Sequence, residues 1–169
     1  MSVTHVAGVD PGLVHTGAVR LEFFPEEKAI EIGHQAISGA KPEDHARAAE
    51  QWIFSDIDRP RPHIFIEKYQ PRGHLNSDAK MAATVHEIKA ALPSATVLLN
   101  TGVKKVVRRP LMELLGVWSF TTVTHHQDLR SAARIAVLGM LKSDVHNRLL
   151  ADVVRDHLKG ATWDVRPQQ

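Results

Sequence analysis

Three carboxylate residues occur where the sequence pattern predicts buried elements rather than solvent. Asp10 follows an apolar segment, Glu67 follows Ile-Phe-Ile directly, and Asp128 lies one turn into a predicted helix. A carboxylate removed from water needs a partner, and a divalent cation is suitable because hard cations prefer oxygen ligands. Two cations held by carboxylates can activate water for phosphodiester hydrolysis. These residues therefore predict a metal-dependent nuclease centre.

Each carboxylate also has an ordinary interpretation. Asp in Asp-Pro-Gly is often a turn residue, and Glu at the end of an apolar strand is often an edge charge. A helix cap is a weaker interpretation of Asp128, because Thr124 and Gln127 form a capping box that predicts Thr124 as the N-cap. His125 is then the first helical residue, on the same face as Asp128. Small residues continue this face, so we expect Asp128 to point toward a sheet.

The elements predicted around these residues are those of an α/β fold. Apolar alternation indicates three strands joined by short breaks, which is typical of an antiparallel meander. Further strands then alternate with helices, which supply the crossovers that parallel strands need. The predicted strands are 5–9, 16–24, 29–37, 63–69 and 95–99. The first predicted helix begins at Pro42 and ends before a break at 58–62, and the second runs from Asn76 or Ser77 to Leu92. Three more helices are predicted, one within 101–116, one over 127–141 and one over 144–158. This order predicts a ribonuclease H-like fold, with a five-stranded mixed sheet (strands 1–3 antiparallel) flanked by helices.

Composition excludes several other classes of protein. The 169 residues predict one nuclease domain over 1–160, with a loop at 120–124 and a loose tail at 161–169. The absence of cysteine excludes disulfides, thiolate zinc sites and cysteine nucleophiles. No apolar run is long enough for a membrane span and no signal peptide is evident, so we expect a cytoplasmic protein. The net charge of +2 excludes a polybasic arm but allows a local basic surface.

The carboxylates also lie in motifs that resemble those of RuvC-type Holliday junction resolvases. Residues 8–17 contain Asp-Pro-Gly-x-x-x-Thr-Gly, which is similar to the opening motif of that family, and 66–69 resemble its second motif. Residues 125–136 resemble its last motif. Over about 6–141 the chain thus resembles a phage-like member of the ribonuclease H-like nuclease superfamily. The resemblance implies that Asp10, Glu67 and Asp128 are catalytic metal ligands for two Mg²⁺ ions, with Mn²⁺ also supporting activity.

The last motif departs from the family pattern, which has an acidic residue or histidine and then an Asp three positions later. Here the pair is either His125 and Asp128, or Asp128 and Ser131. We favour the first pair, because histidine binds metals and serine is a poor ligand. His125 is therefore predicted as the fourth catalytic and metal-binding residue. His126 and Ser131 remain alternatives, although His126 projects to another face of the helix.

Basic and aromatic residues predict contacts with DNA. The predicted nucleic-acid-binding residues are Lys68, Tyr69, Arg72, Lys104, Lys105, Arg108 and Arg109. Cations bind backbone phosphates, and an aromatic ring beside a metal site can stack on an unpaired base. The ordinary interpretations are a solvated helix face for the cluster and strand-end packing for Tyr69. The family resemblance implies that the partner is a four-way DNA junction and that a homodimer cuts two strands symmetrically.

These observations predict a metal-dependent, structure-selective endonuclease that resolves Holliday junctions or other branched DNA. One alternative is another ribonuclease H-like nuclease, which cuts RNA/DNA hybrids or flaps. A second is a junction-binding module without catalysis, although binding alone needs no buried acids. An actin-like ATPase also uses Asp and Gly near its N-terminus, but the chain is too short for the two lobes of that fold.

Overall fold

The computed structural model of the protein describes residues 3–56, 59–120 and 125–168. Its strands are β1 (Thr4–Asp10), β2 (His15–Phe24), β3 (Ala29–Ser38), β4 (His63–Lys68), β5 (Thr96–Leu99) and β6 (Asp164–Pro167). Its helices are α1 (Pro42–Ile53), α2 (Leu75–Ala91), α3 (Val103–Val106), α4 (Arg109–Leu114), α5 (His126–Lys142) and α6 (Asp144–Leu158). No helix in these described segments is long and apolar enough to cross a bilayer.

The strands form one mixed sheet in the order β5-β4-β1-β2-β3-β6. As predicted, β1, β2 and β3 are antiparallel neighbours, whereas β4 is parallel to β1 and β5 is parallel to β4. The register pairs Val9 of β1 with Ile66 of β4. Because parallel strands end at the same edge of a sheet, the next residues, Asp10 and Glu67, lie side by side at the carboxyl edge.

The sheet has six strands, so the predicted number of five was wrong. The segment 161–169, predicted as a loose tail, contains β6, which pairs in parallel with β3. Its backbone is held at both ends: the Asp164 N–H donates to the Lys28 carbonyl and the Gln168 N–H to the Ile32 carbonyl, both at 2.8 Å. β6 has four residues, most of them exposed, and so it lacks the apolar alternation by which the other strands were predicted.

Helix α5 lies directly on one face of the sheet, while α1 and α2 cover the other face. Glycines in β1 and β2 permit the close approach. A Cβ atom on Gly8 would lie 2.0 Å from the Ala132 carbonyl oxygen, and one on Gly17 would lie 2.4 Å from the Asp128 carbonyl oxygen. Only glycine fits at these two points. This packing confirms the expectation that α5 presents small residues to the sheet, and it brings Asp128 to the edge that carries Asp10.

The start of α5 differs from the prediction. The helix begins at His126, and His125 is the N-cap rather than the first helical residue. The predicted cap, Thr124, and most of the predicted loop 120–124 lie outside the described residues. Likewise, the helical pattern predicted within 101–116 forms two short helices, α3 and α4, and Pro110 lies in the first turn of α4. Proline favours the start of a helix because it has no N–H to donate.

Candidate active site

Asp10 ends β1, and its carboxyl group lies beside the Glu67 carboxyl group, the Asp128 carboxylate and the Ser131 hydroxyl. Burial raises the pKa of Asp10 well above its usual range, and the charges of Glu67 and Asp128 raise it further. Like charges in close proximity disfavour ionisation, so the neighbouring carboxylates favour the protonated form of Asp10. The fold thus makes neighbours of three carboxylates that lie at positions 10, 67 and 128 of the sequence.

Glu67 has a second partner that the sequence reasoning did not identify. The Asn100 side-chain amide donates a hydrogen bond to Glu67 Oε1. Asn100 directly follows β5, whose Leu99 pairs with Lys68 of β4, so both side chains lie at the carboxyl edge of the sheet. A polar residue immediately after the short apolar strand β5 was the available signal. The amide fixes one carboxylate oxygen of Glu67 and leaves the other able to bind a ligand.

His125 lies beside Asp128, with 4.0 Å between its Nδ1 atom and Asp128 Oδ2. Its ring stacks on that of His15, with 3.7 Å between the ring centroids. His15 is in turn held by a 2.8 Å hydrogen bond between its Nδ1 atom and Ser38 Oγ. His126 is exposed and has no such contact among the described residues. His125 is therefore the histidine placed next to Asp128, and its catalytic role stays a prediction.

The threonine of the Asp-Pro-Gly-x-x-x-Thr-Gly motif has a structural role. Thr16 is fully buried, and its hydroxyl oxygen accepts a 3.3 Å hydrogen bond from the Gly12 N–H. The same oxygen lies 2.8 Å from His45 Nδ1, and His45 Nε2 lies 3.0 Å from the Gly39 carbonyl. This chain of hydrogen bonds holds the turn that follows Asp10, so Thr16 contributes to the site by fixing the position of that carboxylate.

The donor set around Asp10 fits a hard divalent cation. The charges that most raise the pKa of Asp10 are those of two carboxylates, Glu67 and Asp128, and negative charges gathered in this way favour a bound cation. Oxygen ligands of this kind suit Mg²⁺ and Mn²⁺. In the described segments, no group of three or more histidine, aspartate or glutamate side chains is positioned to hold a metal ion. The assignment of Asp10, Glu67, Asp128 and His125 as metal ligands stays a prediction.

A groove with a volume of about 870 Å³ opens beside Asp10 and Glu67. Five of the predicted nucleic-acid-binding residues line it: Lys68, Tyr69, Arg72, Lys104 and Lys105. Both lysines of the 104–105 pair are exposed, at the end of the groove formed by α3. The groove therefore places positive charge along a path that leads to the carboxylates, which is the arrangement that a polyanion needs to approach them.

Arg108 and Arg109 do not line this groove. The Arg108 Nε atom donates to the Lys105 carbonyl at 3.1 Å, and Arg109 forms an ion pair of 2.7 Å with Glu113. The segment 104–109 was predicted as one basic cluster, but the break between α3 and α4 divides it. Lysines face the groove, and Arg109 turns toward the Trp118 ring.

Tyr69 forms part of the groove wall, and its position is fixed by a single carboxylate. Its hydroxyl donates to Asp78, and this bond raises the pKa of Tyr69 above its usual range. The Asp78 carboxylate also accepts from the backbone N–H groups of Arg72, Gly73 and His74, at 2.8–3.1 Å. Asp78 thus closes the loop between β4 and α2 and holds the aromatic ring at the groove. Stacking of Tyr69 on a base stays a prediction.

Comparison with known proteins supports the fold. No protein-family model and no curated protein sequence matches the chain. Among solved structures, it is similar to Thermus thermophilus RuvC (TM-score 0.57, 15% identity, 79% of this chain and 92% of that one). The same RuvC in complex with Holliday junction substrate gives a TM-score of 0.57 at 14% identity, covering 79% of this chain and 90% of that chain.

A viral protein gives a similar result. The fowlpox virus Holliday junction resolvase matches with a TM-score of 0.51 and 11% identity, over 83% of this chain and 100% of that one. Together with the mixed sheet, its antiparallel strands β1–β3 and its flanking helices, these matches are consistent with the predicted ribonuclease H-like class. The chain therefore has the fold of the RuvC and fowlpox Holliday junction resolvases.

Proposed function

We propose that this protein is a metal-dependent, structure-selective DNA endonuclease that resolves Holliday junctions or other branched DNA by symmetric phosphodiester hydrolysis. The observation that carries the proposal is the site around Asp10: a carboxyl group whose pKa is raised by desolvation and by the charges of Glu67 and Asp128, beside a groove lined by Lys104 and Lys105. The fold supports it, because the similar solved structures are Holliday junction resolvases, one of them with its junction substrate.

In the proposed mechanism, Asp10, Glu67 and Asp128 would hold two Mg²⁺ or Mn²⁺ ions. The chemistry that such ions would supply is activation of a water and neutralisation of the charge on the leaving oxygen. Asn100 orients the Glu67 carboxylate through its amide. His125 acts next to Asp128, as a further ligand or a proton carrier, and must be neutral to coordinate a metal. The groove lysines bind backbone phosphates and hold the scissile strand against the carboxylates.

Symmetric resolution requires two active sites, one for each strand that is cut. We therefore propose that the protein acts as a homodimer with two-fold symmetry, which matches the symmetry of a four-way junction. We also propose that the protein acts in the cytoplasm of a bacterial or phage-infected cell, or in association with the nucleoid. Sedimentation of the protein with and without junction DNA tests the dimer.

The decisive experiment offers labelled substrates to the protein with Mg²⁺ or Mn²⁺. The panel contains a four-way junction, a flap, an RNA/DNA hybrid and a linear duplex, each also incubated with EDTA and with the Asp10→Asn variant. We expect paired, symmetric cuts in the junction, lost with EDTA and with the variant. Preferred cleavage of the hybrid or the flap would instead identify another ribonuclease H-like nuclease. Tight junction binding without any cleavage would identify a binding module.

A further inference from the structure

Three arginine side chains surround one tryptophan on the side of α5 that faces away from the sheet. The guanidinium carbons of Arg130, Arg109 and Arg134 lie 4.1, 4.9 and 5.9 Å from the centre of the Trp118 ring. Arg130 also donates to the Trp118 carbonyl at 2.7 Å. We call these four residues the Trp118 cluster. They come from α4, α5 and the segment between them, so the fold assembles the cluster from separate parts of the chain.

The positive charge of the Trp118 cluster is mostly unbalanced. Arg109 pairs with Glu113, but no carboxylate in the described parts of the chain pairs with Arg130 or Arg134. Arg134 is 8% exposed, and its Nε atom has no hydrogen-bond partner there. Burial and the charge of Arg130 lower the pKa of Arg134. Burial of neighbouring positive charges without a carboxylate to pair with them costs free energy. Such an arrangement is a common sign of an anion-binding site.

The ring gives the guanidinium groups a fixed orientation. An arginine that lies against tryptophan is held by the attraction between its charge and the negative face of the ring. Its planar donors then point away from the ring in a defined plane, and this geometry suits the two oxygens of a phosphate. The order imposed before binding reduces the entropy lost when a ligand arrives. The geometry of the cluster therefore suits one phosphate group in a defined position better than anions that are loosely attracted to positive charge.

The cluster also lies close to the proposed active site. Arg130 is two residues beyond Asp128 on α5, a rise of about 3 Å, and projects about 200° around the helix from it. Phosphates of one DNA strand follow one another every ~3.4 Å along the duplex axis. A strand held at the carboxylates therefore has further phosphates within a few ångströms of rise of the scissile one, which is the range that separates Asp128 from Arg130 along α5.

We propose that Arg109 and Arg130, oriented by Trp118, bind a backbone phosphate of the DNA outside the scissile position and outside the groove. Arg134 adds buried positive charge behind them. This inference rests on the proposed function, since it assigns a second phosphate contact to the same substrate. It adds Arg130, Arg134 and Trp118 to the DNA-binding surface, which neither the sequence motifs nor the groove identified, and it gives Arg109 a phosphate contact outside the groove.

The test measures binding of a four-way junction by fluorescence anisotropy, in EDTA to prevent cleavage, over a series of salt concentrations. The proteins are the wild type, Arg109→Gln, Arg130→Gln, the double variant and Arg47→Gln. Arg47 is an exposed arginine on α1, on the opposite face of the sheet, and is the matched control. Because the cluster binds one phosphate, we expect the double variant to lower the slope of log K against log salt by about 1, and each single variant to lower it by part of that amount. The control should keep the wild-type slope.

A purely structural role gives a different result. If the arginines only pack on Trp118, the variants lower the melting temperature and keep the salt slope of the wild type, and that outcome overturns the inference. Should Arg130→Gln fail to fold, Arg109→Gln decides alone, because its side chain is 64% exposed and its loss leaves no cavity. A wild type that binds no junction contradicts the proposed function itself, whereas wild-type binding with unchanged variants contradicts only the inference.

Discussion

Glu22 and Asp10 are two carboxylates withdrawn from solvent near opposite ends of the β1–β2 pair. The charged groups around Glu22 are mainly positive, whereas those around Asp10 are negative. Glu22 is 2% exposed and pairs across the strands with His5. It accepts from the Arg59 guanidinium and, at 2.5 Å, from the Gln168 amide. Asp10, at the other end of β1, is surrounded by further carboxylates.

The difference separates a structural charge from a functional one. A buried carboxylate with a cation and amide donors is satisfied within the fold, and removal of its partners is costly. A buried carboxylate among like charges is satisfied only by a proton or an external cation, so the protein gains no stability from it. The Glu22 site therefore serves the fold, whereas the charges around Asp10 are those that the proposed metal site requires. The following predictions test this distinction, from the largest expected effect to the smallest.

Asp10→Asn is expected to have the largest effect, and on activity alone. Cleavage of a four-way junction should fall by roughly a hundredfold or more, since residues that merely support a metal ligand already contribute about 10–100-fold. Junction affinity should persist or rise, because a negative charge near phosphate is lost. The unfolding midpoint near pH 7.5 should not decrease, because the raised pKa of Asp10 opposes folding as pH rises. Wild-type cleavage by this variant would contradict the assignment of the site.

Asn100→Ala is expected to reduce cleavage by about 10- to 100-fold, as is typical of residues that orient a metal ligand. The amide holds one oxygen of Glu67 and makes no other described contact of that strength. The apparent affinity for Mg²⁺, read from the metal dependence of cleavage, should weaken with it. Asn147→Ala, at an exposed position on α6, is the matched control. Equal activities of the two variants would remove Asn100 from the site.

Glu22→Gln is expected to act on stability alone. Loss of the charge leaves Arg59 without its buried partner, which should lower the free energy of unfolding by about 1–3 kcal/mol. The figure is moderate because the Arg59 side chain is 34% exposed and water replaces part of the interaction. Urea denaturation measures the change, with Glu50→Gln on the exposed side of α1 as control. Cleavage per folded molecule should match that of the wild type; a large loss of activity would show that the two carboxylates are not independent.

The smallest expected effect concerns pH. Burial lowers the pKa of both His146 and His34, and the neighbouring His63 lowers that of His146 further. The unfolded chain therefore binds more protons, so stability falls as pH drops below about 6.5, the ordinary histidine pKa. His146→Gln should reduce the loss of melting temperature between pH 7.5 and 5.5. An exposed histidine on α2, changed as His86→Gln, should leave the loss unchanged. If the melting temperature falls equally between pH 7.5 and 5.5 in His146→Gln and His86→Gln, the result would contradict this account.

The strands that carry the candidate site, β1 and β4, were predictable from their apolar residues. These residues are consecutive in the sequence, and a single acidic residue follows them. Asp10 and Glu67 were identified in this way, and the sheet register then explains why they meet. Asp128 was identified from the small residues on its helix face, which Gly8 and Gly17 accommodate on the sheet. In each case the signal is local, because one element carries both the residue and the pattern that buries it.

Features assembled from distant segments were not predictable in the same way. Asn100 is one polar residue after a short strand, and its role depends on the register between β4 and β5. The division of the 104–109 segment follows from a break at Val107, after which Arg109 contacts Trp118. β6 carries no apolar alternation and is defined only by its pairing with β3. These features depend on tertiary contacts, about which composition and periodicity carry no information.

Strand β6 also bears on self-association. Residues 29–32 of β3 pair with 164–167, and without this cover their backbone N–H and C=O groups would be free to pair with another chain. β6 itself is a poor template for further growth of the sheet, because Pro167 lacks an N–H group and Asp164 and Arg166 are charged. The segment 164–167 therefore protects the edge of β3 from pairing with the strands of other molecules. Its deletion should appear first as aggregation that depends on protein concentration, before any change in the chemistry at the opposite end of β1.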